Sequence, residues 1–280
     1  PRFHPANLPN MLITTPESLD SVICKYPLTL KNLKAVVLDE IHLLDNTYRG
    51  DQLRILLKRL RNLTEGFNTY ALSATVSDPE RVASRYMEDF EIISSPGSKE
   101  IHSTLVNSFD QVFDLARRER LRKLLVFCNK RESVEEVASR CRSLWGKERT
   151  VVHHGSLSKS VREEAEAFMR ESTYGICVAT MTLEIGIDIG SIDAVVLAEV
   201  PWSVSSLLQR IGRGNRRTQK VRVFGIYSSD DERQMLEHMI EQAKRGWIEP
   251  VNYAPDLSVV VQQVFSSLYA NPSGLDDQYL

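Results

Sequence analysis

Apolar positions recur along this chain in two rhythms. Short runs rich in β-branched residues, at 11–14, 35–39, 70–73, 124–128, 151–153, 176–179, 194–198 and 221–226, predict strands. Most of these runs are continuous rather than alternating, which suits strands covered on both faces of a parallel sheet. Between them the spacing turns helical. Over 51–63, Leu53, Leu56, Leu57 and Leu60 form one stripe, with Arg54, Lys58 and Arg61 off it. Over 133–145, Val134, Val137, Ala138 and Cys141 do the same, which makes Cys141 a core residue. Two more helices are predicted over 231–245, closed by Gly246, and over 257–269. Strands alternating with amphipathic helices predict an α/β fold. The breaker-rich stretch 94–98 marks one boundary, and the segment after Gly246, punctuated by Pro250 and Pro255, marks another.

Composition narrows the class. The chain has 280 residues, 42% hydrophobic and 26% charged. That excludes a disordered, collagenous or coiled-coil protein and leaves room for roughly two domains of about 100–200 residues each. Lys plus Arg is 35 and Asp plus Glu is 37, a net charge of −2, so any nucleic-acid surface must be a local patch. The four cysteines form no Cys-x-x-Cys pair and have no histidine at metal-ligand spacing, which points to a reducing compartment. No apolar run approaches the ~20 residues that span a membrane.

Five short segments carry candidate chemistry. In the first, the apolar run ending at Leu38 runs into Asp39, Glu40, Ile41 and His42. Acids at the carboxyl end of a parallel strand face the crevice where ligands bind. Asp39 there suits Mg²⁺ held through water, and Glu40 suits orientation and deprotonation of an attacking water; an acidic cap on the next loop explains the same residues. The second is Ser73-Ala74-Thr75, whose hydroxyls either sense the acidic strand or form a turn. In the third, His153-His154-Gly155-Ser156 leads into a helix that Ser158 or Ser160 can cap, a start that accepts phosphate or is a plain cap. Thr15-Pro16-Glu17 is a similar helix start. The fourth, 179–188, holds Thr180, Gly186 and Asp188 at a strand–helix junction. In the fifth, 209–217, two glycines interrupt four arginines after Gln209. Guanidinium forks in such a cluster neutralise a phosphoryl group in transfer, although a solvated basic turn has the same composition.

Together, in this order, the five segments resemble a superfamily 2 helicase over residues 10–227. Asp39–His42 resembles its motif II, the DExH box, Ser73–Thr75 motif III, Thr180–Asp188 motif V and Gln209–Arg216 motif VI. Thr15–Ser18 is similar to motif Ib, and 126–129, ending in Asn129, to motif IV. The segments 153–162 and 182–189, with the tail Ile248-Glu249-Pro250 and 257–264, look most like the large helicase-related (Lhr-type) group, except that Gly214-Asn215-Arg216 stands where that group usually has Ala-Gly-His.

The resemblance implies two RecA-like parallel-sheet domains, the first incomplete, then a helical linker and the start of a winged-helix domain. The expected limits are 1–98, 99–230 and 231–280. The implied cofactors are ATP and Mg²⁺, and the implied activity is ATP-driven movement along single-stranded or partly duplex nucleic acid. DNA or an RNA–DNA hybrid is favoured and RNA is open, with repair or recombination as the setting. The implied location is cytoplasmic, or on the nucleoid of a prokaryote. Asp39, Glu40, Gln209, Arg213 and Arg216 would be catalytic. His42, Ser73, Thr75, Gly186 and Asp188 would serve the nucleotide and its coupling, while Thr15, Pro16, Asn129, His154, Gly155 and Thr180 would grip strand phosphates.

The phosphate loop Gly-x-x-x-x-Gly-Lys-Ser/Thr that the family requires is absent from these residues, and the only Gly-Lys pair, Gly146-Lys147, is followed by Glu. The expectation is therefore a fragment of a longer polypeptide that by itself does not hydrolyse ATP. The rivals are a non-catalytic RecA-like module that holds nucleic acid or protein, and a translocase on double-stranded DNA.

Overall fold

The structure is a computed structural model that describes residues 9–74, 76–94, 100–183, 189–214, 220–250 and 252–274, with the side chain of residue 182 excepted. The chain folds as two compact units. One is built from 1–93 together with 250–280, the other from 94–249.

The first unit begins at α1 (Pro16–Lys25), with Thr15 as N-cap and Pro16 in the first helical position, where the missing N–H costs nothing. Then come β1 (Ala35–Leu38), the short α2 (Ile41–Leu44), α3 (Tyr48–Leu63), β2 (Asn68–Ala71), α4 (Pro79–Tyr86) and, from the tail, α10 (Leu257–Ala270). Strands β1 and β2 pair in parallel, Ala35 opposite Asn68 through Leu38 opposite Ala71. Leu53, Leu56, Leu57 and Leu60 of α3 are buried with Leu38 and Ile41, as their spacing predicted. Two strand expectations are corrected. Residues 11–14 form no strand: Met11 and Ile13 are exposed, and no neighbouring strand among the described residues supplies a ladder. β1 is covered on one face only. Val36 and Leu38 pack inward, while Val37 and, on β2, Tyr70 stay exposed.

The second unit alternates strand and helix: β3 (Glu100–Val106), α5 (Phe109–Arg118), β4 (Lys123–Phe127), α6 (Arg131–Trp145), β5 (Thr150–His153), α7 (Lys159–Glu171), β6 (Gly175–Ala179), β7 (Ala194–Leu197), α8 (Val204–Gly212), β8 (Lys220–Ile226) and α9 (Asp230–Lys244). Six strands join in the order β3-β8-β7-β4-β6-β5, every pair parallel. Strands β4, β6 and β7 are buried along their whole length, as continuous apolar runs require. β3 escaped sequence reading because Glu100, His102 and Ser103 break its apolar run. Pairing with β8 along all seven of its residues makes it a strand.

The tail divides. Residues 231–280 are expected to hold a connecting helix, a linker and the start of a winged-helix domain; within them α9 buries Leu236, Met239, Ile240 and Ala243 in the core of the second unit. Gly246, at φ +70°, then turns the chain out. α10 packs on α1 and α3 of the first unit, where its polar side chains meet a buried carboxylate. Asp20 of α1 accepts from Arg59 Nη1 at 3.0 Å, from Gln52 Nε2 at 3.3 Å, from Gln263 Nε2 at 2.6 Å and from the Ser266 hydroxyl. Burial alone would raise the Asp20 pKa, but these donors and the Arg59 charge hold it below the usual carboxylate value. Nearby, Asp51 of α3 accepts from the Tyr253 hydroxyl at 2.7 Å and from the Asp256 backbone N–H at 2.9 Å.

Removing a partner from a buried charge cluster strands the others. Asp20→Ala should lower the opening free energy of α10 and α1 amides, read by native-state hydrogen exchange, by about 3 kcal/mol. A loss below about 1 kcal/mol, the size of an ordinary neutral hydrogen bond, would show that the hub does not hold α10.

Candidate functional site

Parallel pairing sends the carboxyl ends of all strands in a sheet to one edge, and the candidate residues follow those ends. In the first unit, β1 releases Asp39 and Glu40. Asp39 is exposed, and its carboxylate accepts no hydrogen bond from the described residues. An unengaged carboxylate at this position suits a hydrated hard cation, which binds oxygen ligands and keeps its waters. Glu40 adopts the left-handed conformation, φ 50° and ψ 45°, just before α2. A non-glycine residue there is strained by about 1–3 kcal/mol, a strain that clusters at active sites.

Next to it, His42 joins the two strand ends of this unit. Its Nδ1 accepts from the Ala74 backbone N–H at 3.1 Å, faces the Ser73 hydroxyl at 3.4 Å and lies 3.5 Å from Glu40 Oε2. Burial pushes the His42 pKa down, against the opposing pull of Glu40 and Asp39. The neutral ring fits the geometry, because Nδ1 can accept the Ala74 N–H only without a proton. Thr75, the last residue of this segment, lies outside the described residues.

The helix start at Thr15 and Pro16 is as expected. The Thr15 hydroxyl accepts from Ser18 N–H at 3.4 Å, Thr15 is exposed and Pro16 is buried. Glu17 in the first turn is tied to Arg49 of α3 at 2.6 Å, and that hydrogen bond holds its carboxyl down at about 2.

In the second unit, β4, β5 and β6 bring Asn129, His154, Gly155 and Thr180 to the carboxyl edge. Asn129 turns its side chain inward: Nδ2 donates to Val200 O at 2.8 Å, and Oδ1 accepts from Arg210 Nη2 at 2.9 Å. Its backbone N–H donates to Glu199, whose other carboxylate oxygen accepts from the Ser133 hydroxyl. His154 is buried with Nε2 3.4 Å from Glu135, and its Nδ1 has no partner among the described residues. Gly155 is exposed. Thr180 is buried, and its N–H donates to His153 O at 3.2 Å, carrying the sheet ladder one residue beyond β6. Ser158, rather than Ser160, caps α7 by accepting from Val161 N–H. Among the described residues no group of three or more His, Cys, Asp or Glu is placed to hold a metal.

The arginine-rich segment separates into different roles. Gln209 and Arg213 lie half-buried at the end of α8, with Arg213 as its C-cap. Arg210, which sequence reading counted with the surface cluster, is 1% exposed and lies over the Phe127 ring, 5.5 Å from its centroid. A hint was present in the sequence: Arg210 falls three residues after Leu207, one turn along the apolar face of α8. Gly214 is needed for contact, since a Cβ there would meet Val221 Cγ2 at 2.4 Å, whereas a Cβ on Gly212 would meet nothing within 4 Å. Arg216, Gly186 and Asp188 lie outside the described residues.

Comparison with known proteins follows this layout. Residues 2–82 match the DEAD/DEAH box helicase family, and residues 104–218 match the family described as helicase conserved C-terminal domain. The chain is similar to the ATP-dependent helicase Lhr-Core of Methanocaldococcus jannaschii, 33% identical over 293 residues, which takes in 97% of this chain and 34% of that protein. Among solved structures it is similar to the Mycobacterium smegmatis helicase Lhr bound to ssDNA and AMP-PNP, with a TM-score of 0.79 and 28% identity over 93% of this chain and 37% of that one. It shares its fold with S. cerevisiae Dbp5 bound to RNA and ADP BeF3, with a TM-score of 0.64 and 21% identity over 91% of this chain and 68% of that one. The chain therefore spans about a third of the length of the Lhr-Core relative. Among the described residues no helix is long and apolar enough to cross a membrane.

The His42 geometry makes a pH prediction. A histidine whose folded pKa is depressed leaves stability intact above the unfolded value of 6.5, and stability falls as pH drops from 6.5 towards the folded value. Imidazole NMR titration should place His42 below 6.5, with the Ala74 amide shifting in step. A His42 pKa at or above 6.5 would contradict the neutral acceptor.

Proposed function

The chain belongs to the superfamily 2 helicases and is of the Lhr type, and we propose on that footing that it supplies the water-activating acids, the arginines and the strand grips of an ATP-driven nucleic-acid motor. The observation that carries this reading is the edge of the first unit. An exposed Asp39, a Glu40 held in left-handed backbone and a neutral His42 bonded across to Ala74 occupy adjoining strand ends. A passive binding module needs no such strained acid.

ATP with Mg²⁺ supplies the phosphoanhydride bond whose hydrolysis drives movement. Asp39 would hold the ion's water shell, and Glu40 would take the proton of the attacking water. His42, Ser73 and Thr75 would pass the state of these acids to the second strand end. Arg213 and Arg216 would neutralise charge on the phosphoryl group, Gln209 would orient it, and Gly186 and Asp188 would complete the nucleotide contacts. Thr15, Pro16, His154, Gly155 and Thr180 would hold strand phosphates. Asn129, whose amide is spent on Val200 and Arg210, would fix the loop that carries this grip. Phosphate contacts position a strand without reading its bases, so little sequence preference is expected. We propose DNA or an RNA–DNA hybrid as the strand and repair or recombination as the setting, on the resemblance to the Lhr-type group alone.

The 280 residues contain no phosphate loop, so they should not hydrolyse ATP alone. The purified chain should bind fluorescein-labelled single-stranded oligonucleotides in anisotropy titrations, with affinity falling as salt rises. Hydrolysis stimulated by single-stranded DNA in this chain would overturn the first expectation. Absence of any oligonucleotide binding at low salt would overturn the strand-grip reading.

A further inference from the structure

The second unit keeps a tryptophan in solvent at the same edge that carries Thr180. Trp202, in the connection between β7 and α8, is 72% exposed, and Met181, next to Thr180, is 60% exposed. A single exposed apolar residue is ordinary. Here the two side chains line one cavity of about 240 Å³ together with Asn129, Ser203, Ser205 and Gln209. We propose that Trp202 and Met181 form a ledge on which a base of the bound single strand stacks, a nucleobase site beside the phosphate grip at Thr180. This inference rests on the strand-binding reading above.

Three observations support a base as the occupant. The backbone under the ledge is fixed in advance. Val200 O accepts from Asn129 at 2.8 Å, Pro201 is buried, Ser203 caps α8 by accepting from Ser206 N–H at 3.0 Å, and Glu249 Oε1 accepts from Val204 N–H at 2.9 Å. A ligand stacking on Trp202 therefore meets a preorganised backbone and spends little on ordering the connection. Among the described residues the cavity lining carries no carboxylate, and Arg210 is part of it. The nearest acid on this connection, Glu199, is engaged by Asn129 N–H and the Ser133 hydroxyl. Finally, the chemistry matches. An indole face and a polarisable thioether accept any base by its π-face, while the serine hydroxyls offer hydrogen bonds to a base edge. Thr180 and Met181 are consecutive, so a phosphate and the base it carries can be held by neighbouring residues.

The test uses the 280-residue chain and two labelled oligonucleotides of equal length, oligo-dT and the same strand with abasic sites throughout. Trp202→Ala should weaken oligo-dT binding roughly tenfold, the scale of one lost base–aromatic stack. It should leave abasic binding at the wild-type level. Trp202→Phe should restore binding to within about threefold, and Met181→Ala should give a smaller loss than Trp202→Ala, again confined to the strand with bases. Thermal melts confirm that each variant is folded. Equal binding of oligo-dT by wild type and Trp202→Ala, or equal losses on both strands, would overturn the ledge while leaving the phosphate grip standing. If the wild-type chain binds neither strand, the strand-binding reading falls and the ledge with it.

Discussion

A parallel ladder imposes a direction on everything attached to it. In both sheets every pair of strands runs the same way, so each strand can return only through a crossover, and each carboxyl end opens on one edge. That constraint assembles residues far apart in sequence. Cys128 N–H reaches Ala179 O and Thr180 N–H reaches His153 O, which sets the ends of β4, β5 and β6 side by side. In the first unit, Ile41 N–H reaches Leu72 O, and His42 completes the link to Ala74. The placement of the candidate residues is a consequence of strand direction, with loops supplying the side chains.

The second organising interaction is a buried charge. Asp20 gathers donors from α3 and from α10, which follows it by more than two hundred residues. Hydrophobic contact alone would let α10 slide, since Val259 is its only apolar side chain that is fully buried among the described residues. A satisfied carboxylate fixes register because every donor must meet it at once. α1, which carries Asp20, is the helix that starts at Thr15 and Pro16, so the tail helix packs on the element that presents these two candidate residues. The cysteines of the second unit sit in its core: Cys128, Cys141 and Cys177 are buried, and burial pushes each thiol up to about 12.

Much of this was legible in the sequence because its periodicity is strong. The leucine stripe of α3 and the apolar runs of β4, β6 and β7 lie where their spacing puts them. What could not be read depends on distant partners. The run at 11–14 has strand composition and no ladder to join, whereas β3 has a polar run and gains one from β8. Asn129, a candidate strand grip, commits its amide to Val200 and Arg210 through bonds that span 71 and 81 residues. Arg210 reads as surface charge until Phe127 is placed under it. Spacing within a segment reports which face is apolar, but it does not report what a polar side chain will meet from another strand.

The central claim is that the acid at the end of β1 activates water. The most direct measurement is the steady-state ATPase rate of Glu40→Gln in the full-length protein, beside nucleotide and single-strand affinity. Loss of the general base should lower kcat by about a hundredfold or more, with both affinities unchanged. A kcat within a few-fold of wild type would show that Glu40 does not activate the water, and the account of this edge would have to be abandoned.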